Sequence, residues 1–148
     1  MPEGLNEPAD PDVVVIASDA TGTLWAGTTR GAYRYGDGLW HLALAPRFQD
    51  RDDVISDVLV DPTCPARVYA ARGHQPGDFR RHGGGVVVSE DAGEHWNSLT
   101  HGHPIDNAPF ADLDLDPNHP TTVYAATFGF GVWRLDWAEL PQCGGGPQ

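Results

Sequence analysis

At 148 residues the chain is long enough for one domain with a workable core. Its basic residues number 9, all of them Arg, against 21 acidic ones, a formal net charge of −12, which argues against nucleic-acid phosphates and anionic membranes as partners. No apolar run approaches the roughly 18 residues of a membrane-spanning helix, and 18 Gly and 13 Pro with almost no helical periodicity point to an all-β fold rich in turns.

Residues 1–12, MPEGLNEPADPD, lack the basic and apolar regions of a signal peptide. They read as a flexible tail and, if the chain is complete, as that of a cytoplasmic protein. Residues 13–140 then divide into three similar segments: 13–44, 57–100 and 112–140. Each opens on an alternating strand: Val14-Val15-Ile16, Val58-Leu59-Val60 and Leu113-Asp114-Leu115. A turn follows, Asp19-Ala20-Thr21-Gly22 in the first segment and Asp61-Pro62 or Asp116-Pro117 in the others. An aromatic strand comes next, anchored by Trp25, Tyr69 and Tyr124, and the interval between anchors leaves room for four short strands per segment. Third is a Gly-led strand at Gly31, Gly85 and Gly131, and a fourth strand is predicted at Trp40, Trp96 and Trp137. Residues 141–148, PQCGGGPQ, read as a flexible tail.

In the second segment the β-branched run Val86-Val87-Val88 leads into the octet Ser89-Glu90-Asp91-Ala92-Gly93-Glu94-His95-Trp96. Ser89 and Asp91 can accept hydrogen bonds from nearby backbone N–H groups, Gly93 tolerates positive φ, and Trp96 can bury a large apolar area beside the turn. These four residues are expected to hold a β-hairpin rather than to do chemistry. The two cysteines, Cys64 and Cys143, show no metal-ligand spacing. A bridge between them would stabilise by roughly 4 kcal/mol through loop closure, and two free thiols are the simpler expectation.

The octet, S-x-D-x-G-x-x-W, resembles the Asp-box of BNR-type β-propeller repeats. The second and third segments, which share DP-x-x-P-x-x-V-Y-A-A, are similar to blades of that group. It includes sialidases, sortilin-type receptors, xyloglucanases and photosystem assembly factors. The first segment, D-x-x-G-x-L-W-x-G-T over Asp19–Thr28, resembles the sensor propellers of two-component regulators. The resemblance implies a partial β-propeller of about three four-stranded antiparallel blades, with the Asp-box on the face away from any active site. Three blades cannot close a ring, since propellers use four to eight. Further blades, another propeller piece or a second copy forming a two-fold, six-bladed ring would complete it, and an open stack with blunted edges is the remaining solution.

In a four-stranded meander the loops between strands two and three share a face with the linkers between blades, and ligands of propellers commonly sit there. That face is the expected binding surface. In the second segment its loop, residues 72–84, is expanded and basic in an otherwise acidic chain. Arg72, His74, Arg80 and Arg81 are therefore candidates for gripping a carboxylate, a sulfate or an acidic protein partner. In the third segment the matching loop carries Phe128 and Phe130, which could stack on a sugar. Asp52, Asp53 and Asp106 in the linkers are the only carboxylates placed for glycosidase chemistry, Asp52 and Asp106 being the candidates carried forward. A sialidase would need an arginine triad and a Tyr–Glu pair, and the five Glu residues fall in the N-terminal tail, in the octet or at the end of the third segment. His101-Gly102-His103 and Asp112-x-Asp114-x-Asp116-x-Asn118 suggest metals, but the second lacks the Gly and the terminal Glu of a calcium loop. Asp112 and Asp114 are read instead as one face of an inner strand, where a polar channel could hold a weakly bound cation. No metal and no cofactor are expected. The reading reached is a non-catalytic binding or assembly module, with a piece of a carbohydrate-active enzyme and a sensor propeller as alternatives.

Overall fold

The computed structural model describes residues 11–48, 53–73 and 84–136. Among these residues there are strands and turns and no helix. The first sheet joins β1 (Val13–Ser18), β2 (Leu24–Thr28), β3 (Gly31–Gly36) and β4 (Leu39–Leu44). The second joins β5 (Ile55–Asp61), β6 (Cys64–Arg72), β7 (Val86–Ser89) and β8 (Asn97–Ser98). The third joins β9 (Phe110–Asp116), β10 (His119–Thr127) and β11 (Val132–Asp136). Within each sheet every strand pairs antiparallel with its neighbour in sequence. The chain is thus all-β and built as three antiparallel meanders. The predicted fourth strand of the last one, at Trp137, lies outside the described residues.

Register shows that the three segments are true structural equivalents. Trp25 pairs with Ala17, Tyr69 with Leu59 and Tyr124 with Asp114, so the aromatic anchors hold one ladder position in each sheet. The turn before each anchor is closed the same way. A carboxylate oxygen of Asp19, Asp61 or Asp116 accepts the N–H two residues on, from Thr21, Thr63 or Asn118, at 2.8, 2.8 and 2.9 Å. Gly31, Gly85 and Gly131 lead the third strands at φ of 106°, 97° and 79°, where a side chain would be strained.

The first strands of the three sheets lie next to one another, β1 against β5 and β5 against β9. The core is split into two layers between sheets. Trp25, Ala32 and Leu44 pack on Ile55, Val58, Val60, Val68 and Ala70 between the first and second sheets. Tyr69, Ala71, Val86 and Val88 pack on Phe110, Leu113, Val123 and Ala125 between the second and third. Alternation along each strand makes this possible: in β6, Val68 and Ala70 face one way and Tyr69 and Ala71 the other.

The octet is a turn between β7 and β8, closed by its own side chains. The Ser89 hydroxyl donates to Asp91 Oδ1 at 2.8 Å and accepts the Gly93 N–H at 2.8 Å. Asp91 Oδ1 also accepts the His95 N–H at 2.8 Å. Trp96 reaches out of its own sheet: its indole N–H donates to the Ala43 carbonyl at 3.0 Å, and its ring meets Trp25 edge-on at 6.4 Å. The turn therefore fastens the second sheet to the first. Cys64 corrects the free-thiol expectation: it is buried at the start of β6 and is disulfide-bonded. Chain spacing carries no information on a contact between distant elements. Cys143 lies outside the described residues.

Candidate functional site

The β2–β3, β6–β7 and β10–β11 connections emerge on the same end of the sheets as the inter-sheet linkers. Backbone hydrogen bonds knit them together. Asp53 N–H donates to the Thr29 carbonyl at 2.9 Å, Gly73 N–H to the Val54 carbonyl at 3.0 Å and Phe128 N–H to the Pro109 carbonyl at 2.9 Å. This end of the molecule is a single surface built from all three sheets.

Its basic element is an ion network. Asp53, only 3% exposed, accepts the Arg47 backbone N–H at 2.7 Å and that residue's guanidinium at 2.8 Å. Its other partner is the guanidinium of Arg72, 6% exposed and in direct contact with Asp53 Oδ2. Burial pushes the Asp53 carboxyl up, but hydrogen bonds and charge from Arg47 and Arg72 outweigh it and hold the group below the ordinary carboxylate range. Burial likewise lowers Arg72, partly offset by Asp53. One carboxylate between two guanidiniums leaves this three-residue network with a formal charge of +1. Arg47 is the member that reaches solvent, its guanidinium 5.2 Å from the Phe48 ring centre. Asp53 is committed to this network.

Asp106 is tied into the second linker. Its Oδ1 accepts the Thr100 hydroxyl at 2.9 Å, while Thr100 Oγ1 accepts the Val86 N–H at 3.2 Å. The exposed His101 ring stands 3.8 Å from its other oxygen. Among the described residues no group of three or more His, Cys, Asp or Glu is placed to hold a metal. Asp52, His74, Arg80 and Arg81 lie outside the described residues.

Phe128 and Phe130 form the apolar element. They stand 55% and 54% exposed on a hydrogen-bonded loop. Thr127 gives both its N–H and its hydroxyl to the Gly131 carbonyl, at 3.0 and 2.7 Å, and the Trp133 indole N–H donates to the Phe130 carbonyl at 2.9 Å. The two rings are held out from a hydrogen-bonded turn rather than folded onto the sheet.

One ionisable residue of this region escaped the reading of the residues. Asp57, third in β5, accepts the Leu113 N–H of the neighbouring sheet at 2.7 Å and the Val58 N–H at 2.9 Å, with the Asp112 carboxylate as its charged neighbour. Burial raises its pKa; the Leu113 N–H opposes the rise, and the Asp112 carboxylate adds to it, so that Asp57 titrates at about 6. The clue in the sequence is the repeat itself, because Asp57 in DVLVDP and Asp112 in DLDLDP hold the same position. Asp112 and Asp114 do share one exposed face of β9, as their alternation predicts.

No protein-family model matches the chain, and no curated protein does. Solved structures do match. The extracellular domain of the two-component-system protein BT4673 from B. thetaiotaomicron superposes with a TM-score of 0.64 at 17% identity, over 87% of this chain and 15% of that one. The GH74 xyloglucanase from Xanthomonas campestris gives 0.64 at 17% identity, over 87% of this chain and 21% of the enzyme. YCF48 bound to D1 peptide gives 0.64 at 16% identity, over 90% and 40%. The chain thus spans well under half the length of each of the three. They are β-propeller proteins, and at such identity the likeness shows the fold: three consecutive sheets arranged as propeller blades.

Proposed function

We propose that the chain is a non-catalytic binding or assembly module of the Asp-box propeller group, and that its loop and linker face takes a peptide segment bearing carboxylates. The observation that carries this reading is the pair Phe128 and Phe130, exposed by more than half on a hydrogen-bonded turn. Exposed aromatic rings on a rigid loop are the anchors that interfaces use, because burying them stabilises a complex while little conformational entropy is lost. The Arg47–Asp53–Arg72 network on the same end supplies net positive charge. Support by analogy comes from YCF48, whose structure holds a D1 peptide. Among the described linker carboxylates, Asp53 is held by two arginines and Asp106 accepts the Thr100 hydroxyl, which weighs against those two as a catalytic pair.

The test is fluorescence anisotropy with a panel of labelled peptides combining acidic and aromatic residues, against the parent chain and Phe128→Ala/Phe130→Ala. The double variant should lose at least tenfold in affinity, about 1.4 kcal/mol, with an unchanged melting temperature because both rings are exposed. Equal affinity in the two proteins would remove the reading. Release of reducing sugar from xyloglucan, lost in Asp106→Asn, would replace it with the glycosidase alternative.

A further inference from the structure

Each contact between sheets has two unlike sides. The side contributed by the earlier sheet carries the aromatic anchor: Trp25 and Ala32 in the first contact, Tyr69 and Val86 in the second. The side contributed by the later sheet carries the residues of opposite parity: Val58, Val68 and Ala70, then Leu113, Val123 and Ala125. Among the described residues one side of each kind is left without a sheet on it. The first sheet shows the later-type side. Ile16, which pairs with Ala26 as Leu113 pairs with Ala125, is 65% exposed, and Leu24 and Leu42 are exposed beside it. The third sheet shows the earlier-type side. Tyr124 and Val132 are exposed where their equivalents Tyr69 and Val86 are fully buried, Val132 by 71%.

The two open faces are therefore the halves of a contact that the molecule already makes twice. One polar group agrees with the apolar ones, while Asp114, exposed on the same face of β9, holds the ladder place of Leu59 and would be covered as a charge. At the second contact Asp57 accepts an N–H from Leu113 of the next sheet. Asp112 is the equivalent of Asp57, and Ile16 holds the ladder place of Leu113. A sheet docked by the same geometry would bring the Ile16 N–H to the Asp112 carboxylate.

We infer that a second copy of this chain covers both faces, the third sheet of each copy packing on the first sheet of the other. The three described sheets do not close on themselves. A two-fold pair makes six blades, inside the range of closed propellers, and leaves no open face. A single copy instead exposes Ile16, Leu24 and Leu42 together on one face, a patch that soluble chains keep covered. The loop and linker faces of the two copies then form one continuous end of the ring.

The test is molar mass by light scattering on a size-exclusion column, using the full chain. The expected result is one species at twice the chain mass of 16.0 kDa, unchanged on dilution through the micromolar range. Ile16→Arg and Val132→Arg should each run at the mass of a single chain with a native circular-dichroism spectrum, because both positions are exposed in the single chain. Mixing the two variants should restore a pair, since one junction then joins two unaltered faces. Three results overturn the inference: a parent chain at the single-chain mass, a mass that climbs with concentration, or a pair indifferent to both substitutions.

Discussion

Gly93 shows how tightly single residues are set where two sheets meet. Its φ is 95°, and a Cβ there would stand 2.8 Å from Trp25 Cη2 and 3.1 Å from Ala43 Cβ. Gly93→Ala should therefore cost about 1–3 kcal/mol from backbone strain and overpacking together. The expected readout is a lower urea midpoint at an unchanged m-value, and an unchanged midpoint would contradict it. Trp96→Phe keeps most of the ring packing and deletes the N–H donated to Ala43, for a loss of about 1 kcal/mol. Arg72 is a harsher case. Removing it leaves the buried Asp53 carboxylate with Arg47 alone, so Arg72→Ala should destabilise by about 3 kcal/mol or more. Arg72→Met/Asp53→Asn should recover part of that loss in the same denaturation experiment, because the charge goes together with its partner.

Among the elements, β5 and β9 are joined by a titrating contact. The Asp57 carboxyl keeps its proton to about pH 6 in the folded chain, against 3.8 for an ordinary aspartate. Its contribution to stability is present in full below pH 3.8 and is lost as pH rises through 6. The Asp91 carboxyl runs the other way. Desolvation pushes it up, but the His95 N–H, the His95 ring and the Ser89 hydroxyl bring it to about 2, so its contribution is present above 3.8 and lost as pH falls through 2. Urea midpoints taken between pH 4 and 7 should thus fall with rising pH in the parent chain and flatten in Asp57→Asn. Slope is the informative quantity, since the asparagine loses one of the two N–H groups that Asp57 accepts. An equal slope in both proteins would mean that another group titrates in this range.

For the molecule as a whole, stability is the sum of three sheets and the contacts between them, as in other repeat folds. The middle sheet has a contact on each side, and the outer two have one each among the described residues. In the Ile16→Arg chain, amides of β6 should exchange hydrogen slowest and those of β1 and β11 fastest. If six blades close in the parent chain, its outer sheets should gain protection that the variant lacks. Uniform exchange across the three sheets of the variant would argue for a single core rather than two layers.

Three meanders, their order and the ladder place of Trp25, Tyr69 and Tyr124 were legible in the sequence. Each depends on contacts within a few residues or on strands adjacent in the chain: period-two alternation, carboxylates that cap their own turns, glycine at positive φ. The residues of the octet that matter, Ser89, Asp91, Gly93 and Trp96, belong to the same class, being close neighbours in the chain. The candidate site was legible only in outline. Its face followed from strand parity, and Phe128 and Phe130 from their place in a tight loop. Arg72 and Asp53, 19 residues apart, meet only when the residues just before β5 come against the end of β6. Asp57 and the Leu113 N–H, 56 residues apart, and Trp96 and the Ala43 carbonyl, 53 apart, meet only when one sheet stacks on the next. A chain of local patterns determines sheets, because a strand and its turn carry their own signals. Tertiary structure alone decided which charges are buried in pairs, which carboxyl keeps a proton and which faces stay open, because burial and neighbouring charge depend on residues that the backbone brings together from far along the chain.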